Sequence, residues 1–115
     1  MRLPPDAAAI ITALLPPGTP GREELLRQLP HTHVVRRCGC GCATLDLTVD
    51  RTAASPAPVE DGDAASASFR PPAQLTAATI VLLTSDGYLS CLEVYSVSDT
   101  PITAWPAPDA LVLEQ

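Results

Sequence analysis

Three of the chain's four cysteines fall in the run Arg37-Cys38-Gly39-Cys40-Gly41-Cys42, with His31 and His33 just upstream and Cys91 far along the chain. If that run is fully extended, alternate thiols share a face, and a rise of about 3.3 Å per residue sets their Cβ atoms about 6.5 to 7 Å apart. A disulfide needs Cβ atoms about 4 Å apart, so adjacent thiols of an extended run do not bridge. Gly39 and Gly41 can fold the run into a tighter loop, which opens the way to a disulfide or to thiolates converging on a soft cation. The candidate metal set is then Cys38, Cys40, Cys42 and Cys91, with His31 or His33 as substitutes for the fourth ligand, and zinc as the ion. Structural zinc sites usually present two C-x(2 to 4)-C knuckles, and C-x-C-x-C is a different spacing. The competing reading needs no cofactor and takes the cysteines as small side chains packed at a bent strand. Redox or nucleophilic use requires a lowered thiol pKa, for which Arg36 and Arg37 are the nearby cations.

Glu93 is the second residue of interest, because strict alternation within Leu89 to Val97 puts it on one strand face with Leu89, Cys91 and Tyr95. A carboxylate inside a strand must be paired, protonated or in water. If the face is exposed, Leu89, Glu93 and Tyr95 form a surface for a protein partner. If it is buried, a structural salt bridge to Arg36, Arg37 or Arg70 is required. His31 and His33 follow Pro30 and read as loop histidines. The run Val59-Glu60-Asp61-Gly62-Asp63 lacks the ordered ligands and terminal glutamate of an EF-hand. H-E-x-x-H, G-x-S-x-G and a glycine-rich phosphate loop are all missing, and nothing marks an oxyanion hole for a Cys-His hydrolase. The sequence therefore points to a binding protein and away from an enzyme.

The elements that must position these residues are legible in part. Ala7, Ile10, Ile11, Leu14 and Leu15 recur at helical spacing after Pro5 and Asp6, and Pro16-Pro17 ends the helix. A second helix is expected with Thr19 as its cap, Pro20 at its first position and Leu25, Leu26 and Leu29 as its buried edge. Ala43, Leu45, Leu47 and Val49 alternate with Thr44, Asp46, Thr48 and Asp50, the period of a half-buried strand. Val34 and Val35 belong to an extended segment before it. Residues 52 to 73 read as a long mobile loop, with an edge strand near Phe69. Thr79 to Thr84 and Tyr88 to Val97 form a hairpin across Asp86-Gly87, a type I′ turn pair that sets Leu83 near Ser90 and Val81 near Leu92. Ile102 to Trp105 reads as one more strand, and Ala110 to Leu113 as an apolar tail docked on the sheet.

A chain of 115 residues supports one core, which reads as a single domain over residues 1 to 115. Hydrophobic residues make up 46% of it but only four are aromatic, so the core is built from Ala, Val, Leu and Ile. The formal charge of -6 repels phosphate backbones and anionic lipid, which argues against nucleic acid and membrane partners. All seven basic residues are Arg, with no Lys or Asn, as in a GC-rich bacterial genome. Pro4, Pro5 and Asp6 interrupt what would otherwise mimic a signal peptide, and the expected compartment is the cytoplasm.

Two segments, the C-x-C-G-C stretch at Cys38 to Cys42 and the hairpin Asp86-Gly87-Tyr88-Leu89-Ser90-Cys91-Leu92-Glu93-Val94-Tyr95, resemble a group of small uncharacterised bacterial proteins. These carry a CxCGC strand and a DGxLSxLEIY hairpin, and some are similar to immunity proteins of contact-dependent toxin systems. The match spans a minor part of the chain. It implies a small acidic inhibitor or immunity-like binder and carries over no site residue. The expected fold is α+β, with two N-terminal helices packed on an antiparallel sheet of four to five strands.

Overall fold

The computed structural model describes residues 1–39, 41–72, 76–97 and 100–114. Helix α1 spans Pro5–Leu14, with proline at its first position and the Asp6 carboxylate accepting the Ala7 N–H at 2.8 Å. Its stripe of Ala7, Ile10, Ile11 and Leu14 is buried. Helix α2, Arg22–Gln28, starts later than Thr19 and Pro20 suggest. The Thr19 hydroxyl donates to the Pro16 carbonyl instead of capping, and Gly21 enters the helix with φ +75°. A Cβ at Gly21 would stand 2.6 Å from the Val59 side chain, so glycine serves both the backbone and the close approach there.

Among the described residues, six strands follow: β1 Thr32–Arg37, β2 Leu45–Val49, β3 Gly62–Phe69, β4 Ala78–Ser85, β5 Tyr88–Tyr95 and β6 Val112–Leu113. They make one sheet in the order β1-β2-β5-β4-β3-β6, every pair antiparallel. One face of this sheet, through Leu45, Leu47, Phe69, Ile80, Leu82, Leu92 and Val94, shares a single core with α1, Leu25 of α2 and Ile102.

The expected helix pair on a sheet of four to five strands is corrected on both counts. The sheet has six strands, because Gly62–Phe69 and the tail Val112–Leu113 both join it. The helices do not form a packed pair: α1 borders β3 and the 3-10 turn Pro108–Ala110, whereas α2 borders β5. Residues 16 to 22 are spent on successive turns, Thr19 N–H to Pro16 O and Arg22 N–H to Thr19 O, which shortens α2 to seven residues. The fold remains α+β.

Within the stretch read as a loop, residues 62–69 are strand β3, and it is no edge strand, since β4 flanks it on one side and β6 on the other. Its Gly, Asp, Ala and Ser residues have little strand propensity of their own; pairing on two sides supplies it. The Ile102 to Trp105 segment is not a strand, although Ile102 is buried and accepts the Ala43 N–H at 2.7 Å.

The remaining loop residues wrap the hairpin turn. Asp86 and Gly87 have φ of 55° and 83°, the type I′ signature. The Gly87 carbonyl accepts both the Ala57 N–H at 2.8 Å and Gln28 Nε2 at 2.9 Å. Gln28 Nε2 also donates to Ser55 O at 3.1 Å, and its Oε1 accepts the Leu89 N–H at 3.0 Å. Helix, loop and hairpin are thus tied together by one fully buried amide side chain.

Candidate interaction face

The site begins with an irregularity of β5. Next to the turn, Ser85 pairs with Tyr88 and Thr84 with Leu89, but Leu83 then pairs with Cys91 and Val81 with Glu93. Ser90 is the extra residue of a β-bulge, so the expected register holds at the turn and slips by one beyond it. A slip of one exchanges faces. Leu89, expected beside Glu93 and Tyr95, is instead 1% exposed and belongs to the core. Cys91, Glu93 and Tyr95 remain together on the opposite face.

That opposite face can be followed across the ladders. One row runs Arg36, Asp46, Cys91, Leu83 and Asp63, and the next runs Glu93, Val81 and Ser66. A third runs Tyr95, Thr79, Ser68 and Val112. Both helices lie on the other side with the core, and the side chains here grade from Val81 at 8% exposed to Tyr95 at 51% and Val112 at 66%. The centre is apolar and the borders are wet.

Charge on this face is unbalanced. Arg36 pairs with Asp46 at 2.8 Å, its side chain largely in solvent, which makes that ion pair weak. Among the described residues no ion pair reaches half-buried Glu93, so the salt bridge to Arg36, Arg37 or Arg70 weighed above does not form. Burial pushes the Cys91 thiol up to about 12, helped by the neighbouring Asp46 and Glu93 carboxylates and by its hydrogen bond to Asp46. A thiol so placed stays protonated at neutral pH and is a poor nucleophile or metal ligand.

The cysteine run caps the β1–β2 connection. Gly41 donates its N–H to the Cys38 carbonyl at 3.3 Å with φ +89°, and the Cys38 N–H reaches Thr44 O at 3.3 Å, so the segment is turned and not extended. Cys38 is exposed and Cys42 half-buried, while Cys40 lies outside the described residues. Cys91 faces Asp46 on the sheet, and Thr44 meets the far end of β5 by exchanging hydrogen bonds with Val94 at 3.2 and 3.0 Å. Among the described residues, no disulfide joins Cys38, Cys42 and Cys91, and no three potential metal ligands come together. His33 is exposed, and its strand pairs there with Arg2.

Alternation along β4 and β2 could have flagged Val81, Leu83 and Asp46 as partners of Glu93. The bulge at Ser90 has no sequence signal. No protein-family model, curated protein or solved structure matches this chain. Among the described residues, no helix is long and apolar enough to cross a membrane.

Proposed function

We propose that this chain is a cytoplasmic protein-binding module, without enzymatic activity, that uses the sheet face around Glu93 to hold a basic region of its target. The observation that carries the reading is the unpaired Glu93 carboxylate set among Val81, Leu83, Cys91 and Tyr95. An apolar centre with an aromatic residue at its border, the Glu93 carboxylate within it and the Asp63 carboxylate at its edge suits a partner that brings cations to a dry contact. The overall charge of -6 favours encounter with such a partner. An inhibitor or immunity-like role fits this chemistry, since masking a basic active region requires an acidic complement. Leu89 no longer belongs to the surface; Glu93 and Tyr95 do.

A photo-crosslinking residue at Tyr95, compared with one at exposed Arg27, tests the face directly. The expected result is a discrete adduct from position 95 alone. Glu93→Ala should then weaken the purified pair by about 2 kcal/mol or more while leaving the melting temperature unchanged. Equal labelling from both positions, or unaltered affinity in Glu93→Ala, would remove the proposal. Zinc binding by Cys38, Cys40, Cys42 and Cys91 is the rival use of the chain, and it would require Cys91 to give up its hydrogen bond to Asp46.

A further inference from the structure

The outer face of the sheet constrains the shape of what covers it. In one row across the strands, half-buried Glu93 of β5 pairs with buried Val81 of β4, and Val81 with Ser66 of β3. The Ser66 hydroxyl donates to the Glu114 carboxylate at 3.3 Å, and the Glu114 N–H donates to Ser66 O at 3.0 Å, which holds that acid on the same face just past β6. In the adjoining row Cys91 pairs with half-buried Leu83, and Leu83 with Asp63. Carboxylates therefore stand on both sides of the ridge made by Val81 and Leu83, with Glu93 on one side and Asp63 and Glu114 on the other. Among the described residues none of these three carboxylates joins an ion pair. Neighbouring strands lie about 4.8 Å apart, so the two acidic borders are roughly 10 Å apart with the apolar ridge midway.

Backbone chemistry and spacing both select the covering element. An extended segment laid flat on Val81 and Leu83 would bring its own N–H and C=O groups to an apolar ridge whose strands are already paired with each other, whereas a helix satisfies its backbone internally. Side chains on one face of an extended segment recur at about 6.6 and 13 Å, one short of the gap and the other beyond it. Helix positions i and i+7 share a face and lie about 10.5 Å apart, with i+3 and i+4 between them. Resting on the basic-partner reading of this face, we infer that the partner covers it with an amphipathic helix carrying arginine or lysine at i and i+7 and apolar side chains at i+3 and i+4. One cation meets Glu93, the other meets Asp63 and Glu114, and the apolar pair seats on Val81 and Leu83. A second copy of this chain would set like charges against each other there.

Three labelled peptides of about 15 residues serve as probes, stapled where a helix is wanted because isolated helices of that length are marginal. The first is a stapled helix with arginines at i and i+7 and leucines at i+3 and i+4. The second moves one arginine to the opposite side of the same helix, and the third is the first sequence left unstapled and broken by two prolines. Fluorescence anisotropy at low salt should show the first peptide binding at least about fivefold more tightly than either of the others. Glu93→Gln should weaken its binding by about the same factor, and so should the double substitution Asp63→Asn with Glu114→Gln, after which the first two peptides should bind alike. Equal affinity of all three peptides overturns the helix; if Glu93→Gln still weakens them all, the basic-partner reading survives, and if Glu93→Gln changes none, both fall. Absence of saturable binding by the first peptide also overturns the helix, and crosslinking from position 95 then judges the partner on its own.

Discussion

Gln28→Leu offers the sharpest test of how the fold is held. The side chain has no exposure, and its amide serves three backbone groups from two distant segments: Ser55 O, Gly87 O and Leu89 N–H. Leucine keeps most of the volume and removes every polar atom. The consequences for the three groups differ. Gly87 O keeps its bond from the Ala57 N–H, and Ser55 is exposed, so its carbonyl can turn to water. The amide of buried Leu89 loses its acceptor. A buried unsatisfied donor costs about 1 to 3 kcal/mol, and each other lost bond adds roughly 1 kcal/mol or less, so the substitution should cost about 3 kcal/mol. For a domain of this size that corresponds to a fall in Tm of roughly 10 to 15 °C. Gln28→Glu supplies an internal control. One carboxylate oxygen can still accept from Leu89, but the other faces two carbonyls, so at neutral pH this variant should be less stable than Gln28→Leu. Burial raises the new acid's pKa, and once protonated it donates to Gly87 O, so its deficit should shrink as pH falls. Urea and thermal melts of the three proteins at pH 7 and pH 5 would measure this. If Gln28→Leu stays within about 0.5 kcal/mol of the parent, as surface substitutions do, the buried clamp is not what joins helix to hairpin.

The hairpin turn should be equally intolerant: Gly87→Ala places a Cβ 2.6 Å from Ala57 O and 2.7 Å from the Pro56 Cβ at φ +83°. Strain and crowding together predict a loss of about 2 to 4 kcal/mol by chemical denaturation, and a melt matching the parent would contradict the packed turn. Cys91 should resist iodoacetamide at pH 8 in the native protein and react readily in urea, read by mass spectrometry. Because its thiol pKa is raised in the folded state from an ordinary 9.0 to about 12, its stabilising contribution is complete below about pH 9 and is lost as pH climbs towards 12. The Tm difference between the parent and Cys91→Ala should therefore narrow over that interval. Finally, a strong chelator should leave the circular-dichroism melt cooperative and unshifted, since apolar side chains from both helices and the sheet make up the core; loss of the transition would make metal binding part of folding.

Much of the backbone could be read because local and global preferences agree. The stripe of α1, the alternation of β2 and the Asp86-Gly87 turn each require one structure on their own, and each is found. Strand β3 could not be read, because Gly62–Phe69 has neither bulky nor β-branched residues before Phe69 and becomes a strand through its neighbours. Gln28 was hidden for the opposite reason. A glutamine near the end of a charged helix looks solvated, and its burial depends on a turn some 60 residues later.

The candidate face shows how a single residue decides what a surface presents. Alternation alone assigns Leu89 to the Glu93 face, and had it held, a large apolar side chain would stand next to the wet end of the hairpin. The bulge at Ser90 turns Leu89 inward while keeping Cys91, Glu93 and Tyr95 outward, so both faces of β5 are populated correctly for a half-covered sheet. Two further shifts, at Val35 in β1 and Ala64 in β3, act in the same way beside the other outward charges, Arg36 and Asp63. Bulges bend a strand and raise its local twist. With Leu89 turned inward, the outer surface is left with its apolar centre flanked by acidic side chains.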